Sequence, residues 1–282
     1  MSAQVAAVTR SSGPPAASLR AQWAVTDALA ITRRNLLKYV RVPTLLVFST
    51  IQPVMFVVLF RYVFGGAIKL PPGLDYVDYL MPGIFIQIVV FGSTQTGVGL
   101  AEDLAGGMIE RFRSLPMARS AVLAGRATSD TVRNIFVCVL MTLVGVLVGF
   151  RWHGGFPAFL GALVIAVLFG LAFSWIMALI GLSAGNVEAA QAASFVWVFP
   201  FVFASTAFVP LATMPGWLQA WAKVNPVSVT VDAVRSLVLK GDVARLAQGG
   251  TRTTHVWQAL AWIACILLVF VPLAVRRYRR TA

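Results

Sequence analysis

Six stretches of this chain are apolar over the length needed to cross a bilayer. They run approximately over residues 43–64, 79–100, 132–150, 156–181, 189–209 and 256–275. A hydrocarbon core of about 30 Å is spanned by about 20 apolar residues in a helix. Only helices or closed barrels satisfy their own backbone polar groups there. Runs of this length select helices, so the expected fold is an all-α integral membrane protein of six transmembrane helices. Composition agrees: 59% of residues are hydrophobic and 12% charged, with mean hydropathy +0.82. A soluble domain is roughly 45–50% apolar and about a quarter charged.

Lysine and arginine set the orientation. Counting Arg133, at the start of the third stretch, with the loop before it, fifteen fall before the first stretch, between the second and third, or after the sixth; eight are counted on the other side. Arg111, Arg113, Arg119, Arg126 and Arg133 are counted in the loop between the second and third stretches. Both termini are therefore expected in the cytoplasm, which an even number of spans requires.

Two segments are organised without spanning. Over residues 24–41, Val25, Leu29, Leu36 and Val40 share a narrow helical arc, and Arg34, Lys38 and Arg41 lie opposite. That pattern fits a basic amphipathic helix in the headgroup plane, or a basic flank that only fixes topology. After the fifth stretch, Pro215-Gly216 and Asn225-Pro226 mark turns around two short helical segments, 217–224 and 229–239. Their tryptophans suit the interface, and the arrangement reads as a re-entrant helical hairpin between the fifth and sixth spans. Residues 1–22, rich in Ala, Ser and Pro, read as a disordered cytoplasmic tail, and 23–282 as one transmembrane domain.

Several chemistries are disfavoured. The net charge of +13 lies between apolar runs rather than along one polar face, which argues against nucleic acid. Cys138 and Cys265 sit in apolar runs as small core residues, and His153 and His255 are too few for a metal site. No ionisable pair is expected inside any span, whereas an ion-coupled carrier needs a buried acid or histidine. No G-x-x-x-x-G-K-[ST] loop occurs. If ATP drives this protein, another chain binds it.

Residues 100–133 are too polar to span. They mix Glu102, Asp103 and Glu110 with Arg111, Arg113 and Arg119 around Met108, Ile109, Phe112 and Leu115. Physics allows either a surface helix presented to a soluble partner or a solvated loop. The motifs here and elsewhere carry a resemblance: ITRRNLLKYVRVP (31–43), YVFGGAI (62–68), LMPGIF (80–85), GLAEDL (99–104), IERFRSLPMARSAVLAGR (109–126) and MPGWLQAWAKVNPVS (214–228). Together with the order of elements, they resemble the type-2 ABC exporter permease family, in its daunorubicin-resistance branch.

The resemblance implies a permease that is not itself an enzyme. It binds no cofactor, with ATP and Mg on a separate ABC ATPase subunit. Two permeases, the same or homologous, would work with two ATPases on amphiphilic drugs, antibiotics or lipids. Glu102, Asp103, Glu110, Arg111, Phe112 and Arg113 would form the coupling helix, and Arg33, Arg34 and Lys38 would mark the connecting helix. A translocation cavity between the permeases would be lined by Phe85, Gln87, Phe91, Thr94 and Gln95 of the second span. Phe199, Phe203 and Thr206 of the fifth would face them. Aromatic walls with few polar groups suit a flat amphiphile, although the same side chains could face lipid or pack between helices. The rival classes are an ion-coupled secondary transporter and a non-transport assembly factor.

Overall fold

The computed structural model describes residues 17–41, 43–65, 75–108, 119–239 and 251–281, and these form helices with no strand among them. In chain order the helices are α1 (Ala17–Arg41), α2 (Pro43–Leu59), α3 (Tyr76–Ala105), α4 (Arg119–Val148), α5 (Phe156–Ser183), α6 (Val187–Phe203), α7 (Gly216–Val224), α8 (Pro226–Val238) and α9 (Arg252–Thr281). A π-helical turn over Phe60–Phe64 continues α2.

Among the described residues four helices are long and apolar enough to cross a membrane: α3, α4 from Val122, α5, and α9 as far as Arg280. The apolar helices in the first and fifth predicted stretches are shorter, Thr50–Val63 and Val187–Phe203. The fifth stretch was expected to reach residue 209, but α6 stops at Phe203. Its last carbonyls are orphans that need donors from elsewhere. Asn225 supplies them, its Nδ2 donating to Phe201 O at 2.8 Å and Ala204 O at 3.2 Å. The same side chain caps α8, accepting from Val227 N at 2.9 Å. One residue thus ends one helix and begins another. The two expected short helices after the fifth stretch are present as α7 and α8.

Helix α3 is the centre of the bundle. Its apolar window is 78% buried, against 22% for α9. It packs on α5, α6, α4 and α8 through a core including Leu80, Ile84, Phe85, Phe169 and Val234. Small residues permit the α3–α5 approach: a Cβ at Gly181 would overlap the Gly97 backbone, and one at Gly97 would overlap Met177 O. Helix α5 starts after Gly155, whose φ of 85° is natural only to glycine, with Pro157 in its first turn.

Helix α1 lies against α4. The face it buries is neither the apolar arc nor the basic one. Ile31 and Thr32 are buried, Leu29 is exposed, and Asn35 Nδ2 donates to Ser129 Oγ at 3.3 Å. The Thr32 hydroxyl reaches Gly125 O at 3.0 Å. Of the expected apolar arc, Leu29 is thus left outward and Leu36 is half-buried.

Substituting Gly181→Val should strip the α3–α5 contact and destabilise the protein by ~1–3 kcal/mol. Gly161→Ala on the same helix, where a Cβ meets nothing within 4 Å, should leave stability equal or higher. Melting temperatures in detergent compare the two.

Candidate functional site

Among the described residues, three polar clusters bear on how the apolar helices are joined. The first sits where α1, α3 and α4 meet. Asp103 accepts from Arg126 Nη1 at 3.0 Å and from Arg34 Nη2 at 3.3 Å, and Arg126 Nη1 also donates to Gly99 O at 2.9 Å. A Cβ at Gly99 would overlap the Arg126 guanidinium, so glycine makes room for it. Of the expected coupling residues, Asp103 therefore joins three helices internally, and Glu102 is exposed beside it. Glu110, Arg111, Phe112 and Arg113 lie outside the described residues. Arg33 is exposed and Arg34 reaches Asp103. Lys38 lies in α1, its side chain outside the described set.

The second cluster is a cavity of about 140 Å³ between α2, α3, α4 and α6, with Gln52, Gln87, Thr94, Gln95, Arg133 and Asn134 among its lining. Gln87 is 3% exposed, and its Oε1 has no partner among the described residues. A buried amide left so in an apolar helix is costly unless something else fills its hydrogen bonds. Phe91 and Phe195 complete the wall. From Phe91 an aromatic row leads along α6: Phe199 lies edge-on at 5.6 Å, and Phe203 stacks on Phe199 at 5.3 Å. Phe199 and Phe203 are 47% and 41% exposed.

Of the residues expected to line a cavity, Gln87, Phe91, Thr94 and Gln95 share this one, and Phe199 and Phe203 extend its aromatic wall. Phe85 sits elsewhere, in edge contact with Phe150 and Phe159 at 6.2 and 6.3 Å. Thr206 belongs to the third cluster. Arg133 and Asn134 were missed. Arg133 had been counted as loop and Asn134 lay at the start of the third stretch, but α4 is already helical from Arg119, which carries Arg133 into the bundle at 5% exposure. There its Nη2 donates to Gly92 O.

No ionisable pair was expected inside a span, and the bounds of α4 add single ionisable residues that the apolar stretches did not include. Asp130 is buried in α4 and accepts from Thr96 Oγ1. The helix simply starts well before the apolar run does.

The third cluster joins α8, α3 and the chain after α6. Arg235 and Asp232 pair at 2.9 Å, both almost fully buried. The Arg235 guanidinium lies 3.7 Å above the Tyr79 ring and donates to Tyr79 O at 3.2 Å and Thr206 O at 3.0 Å. Thr206 Oγ1 donates to Asp232 Oδ1 at 3.2 Å. The i,i+3 spacing was visible, but a moderately apolar, proline-broken segment gave no sign that it would be buried. Among the described residues no group of three or more potential metal ligands occurs.

A polytopic helical protein with a polar cavity among its apolar helices has the construction of a transporter's membrane domain, and comparison with known proteins agrees. Residues 26–239 match the family model described as ABC-2 type transporter. The chain is 33% identical over 256 residues to the daunorubicin resistance ABC transporter permease protein DrrB1 of Streptomyces coeruleorubidus, covering 91% of this chain and 87% of that one. It is 26% identical to the probable doxorubicin resistance ABC transporter permease protein DrrC of Mycobacterium tuberculosis, covering 95% and 94%. It is 27% identical to the putative transport permease ycf38 of Porphyra purpurea, covering 77% and 76%. The chain belongs to the ABC-2 type transporter family.

Two tests follow from the clusters. Asp103→Asn leaves two arginines facing each other without their shared carboxylate. Because Arg34 is about a third exposed, a loss of ~1–3 kcal/mol is expected, with faster proteolysis of α1. Asp232→Asn strands a buried guanidinium and should cost ~3–5 kcal/mol. Adding Arg235→Met should recover much of that loss, and a thermal double-mutant cycle would show it.

Proposed function

We propose that this chain is the membrane-spanning permease subunit of an ATP-driven exporter, moving amphiphilic drugs, antibiotics or lipids out of the cytoplasm or inner leaflet. Family membership supports the class. The observation that carries the transport reading is the cavity, where Gln87, Thr94, Gln95, Arg133 and Asn134 surround one space among otherwise apolar helices. At about 140 Å³ it is smaller than the ~300–1,000 Å³ of a drug-sized pocket. A second permease set against the exposed Phe199–Phe203 row would enlarge it. The amphiphile's flat apolar body would then lie on the phenylalanines, with its polar group turned to the amides.

In this reading α2 with its π-helical continuation and α6 also cross, giving six spans, and α7–α8 form a hairpin re-entering the outer leaflet. Both termini are cytoplasmic, residues 1–22 form a tail, and 23–282 are the transmembrane domain. ATP and Mg belong to a separate ATPase subunit. That subunit would dock on the segment from Glu102 to Arg113, flanked by α1 with Arg33, Arg34 and Lys38. The Asp103 cluster would carry its movement into α3 and α4. Swinging a two-state protein from mostly inward to mostly outward takes ~5.5 kcal/mol of differential binding, and nucleotide-driven closure of the ATPases would supply it.

Co-purification with the cognate ATPase, followed by amphiphile-stimulated ATP hydrolysis in liposomes, tests the proposal. A stable complex with stimulated hydrolysis is expected. Phe112→Ala or Arg113→Glu should reduce docking without changing the melting temperature of the isolated permease. Phe91→Ala should leave docking intact and weaken stimulation. Normal docking and export in both coupling-segment variants would overturn the coupling assignment. An ATPase that never binds the folded chain would overturn the exporter reading.

A further inference from the structure

A second cavity lies apart from the polar one and shares no residue with it. It has a volume of about 290 Å³ and sits between α5, α6 and α9, below the start of α8 at Pro226. Phe173 and Met177 form its buried floor, Trp197 and Trp262 stand partly exposed at its mouth, and Ile180 and Phe270 line it further along. Almost nothing polar faces it. Along α9 it extends from Trp262 to Phe270, a rise of roughly 12 Å, close to one leaflet's half of a ~30 Å hydrocarbon core.

The α9 face continues past the cavity. Arg277 follows Phe270 by seven residues, two helical turns on the same side. It belongs to a cluster with Arg276, Arg279 and Arg280, all exposed. An apolar slot of leaflet depth thus leads into a cationic end. A slot with almost no polar surface offers little to read the functional groups of a polar cargo, but it accepts an alkyl chain. The basic end adds charge complementarity for a phosphate; basic pockets at the cytoplasmic ends of transmembrane helices bind anionic lipid headgroups in this way.

We infer that this groove is a binding site for an anionic bilayer phospholipid, one acyl chain lying between α5, α6 and α9 and the phosphate meeting the arginines at the end of α9. The site is structural or regulatory and separate from the export route. Only the leaflet, the inner one, rests on the orientation proposed above.

The test uses the full-length permease in nanodiscs of equal palmitoyl-oleoyl phosphatidylglycerol and phosphatidylcholine, with retained lipids counted by native mass spectrometry. Phosphatidylglycerol should be retained several-fold over phosphatidylcholine. Arg277→Gln with Arg280→Gln should remove most of that preference and bring the two lipids close to equal retention. Leu179→Trp, and the milder Ile180→Phe should the first fail to fold, should reduce retention of both lipids at unchanged melting temperature. Equal retention of the two lipids by the unmodified protein would overturn the inference. So would unchanged retention in a folded groove-filling variant, or displacement of the lipid by daunorubicin, which would make the groove part of an export route. These readouts do not depend on orientation, which labelling of the C-terminus in sealed vesicles reports independently.

Discussion

Three arginines from other helices donate to backbone carbonyls of α3: Arg235 to Tyr79, Arg133 to Gly92 and Arg126 to Gly99. The acceptors span twenty residues, about 30 Å of helix, so α3 is held at three depths. A carbonyl already bonded within its helix keeps a second lone pair, so the helix loses nothing by accepting. Each arginine finds the partners that a charge inside a bilayer must have. At two of the three points the acceptor is glycine, and a Cβ at either would collide with the incoming guanidinium. The bundle is ordered around this clamped helix, with α4 fixed to it twice and α8 once.

The clamps connect the polar clusters. Arg126 belongs to the Asp103 cluster with α1, Arg133 lines the polar cavity, and Arg235 forms the buried pair with Asp232. A displacement of the helix ends around Asp103 would reach the cavity wall through α3 and α4, since both carry residues of each cluster. Near Tyr79 the same α3 is tied to Thr206 and to α8.

Much of this was legible in the sequence. Apolar run length marks α3, α4, α5 and α9, and the paired turns at Pro215-Gly216 and Asn225-Pro226 mark α7 and α8. The α3 side of the cavity is legible because glutamines and threonines are conspicuous inside an apolar run. The arginines were not. Hydropathy sets a span's edge where charges begin, and the rule that assigns basic residues to the cytoplasmic side counts Arg126 and Arg133 as loop. A helix has no reason to stop at that edge when its first turns are paid for by hydrogen bonds to a neighbour. Phe85 and Thr206 show the converse limit: residue type placed both near the cavity, but the rotation of α3 turns Phe85 into the core, and α6 ends before Thr206, which bonds Asp232 from the turn that follows.

Exposure alone does not mark the functional surface of a membrane protein, because lipid tolerates any apolar side chain. Val196, Leu147 and Leu268 are all more exposed than Phe199, and nothing else distinguishes them. What sets Phe199 and Phe203 apart is continuity, since their rings run without a break from Phe91 at the polar cavity to Phe208 near the Asp232–Arg235 pair. Lipid contact needs no such alignment of rings with buried amides. A path for molecules with a flat apolar body and a polar edge does, and that coincidence is the reason for proposing this face, rather than the exposed apolar ones of α4 and α9, for a second permease.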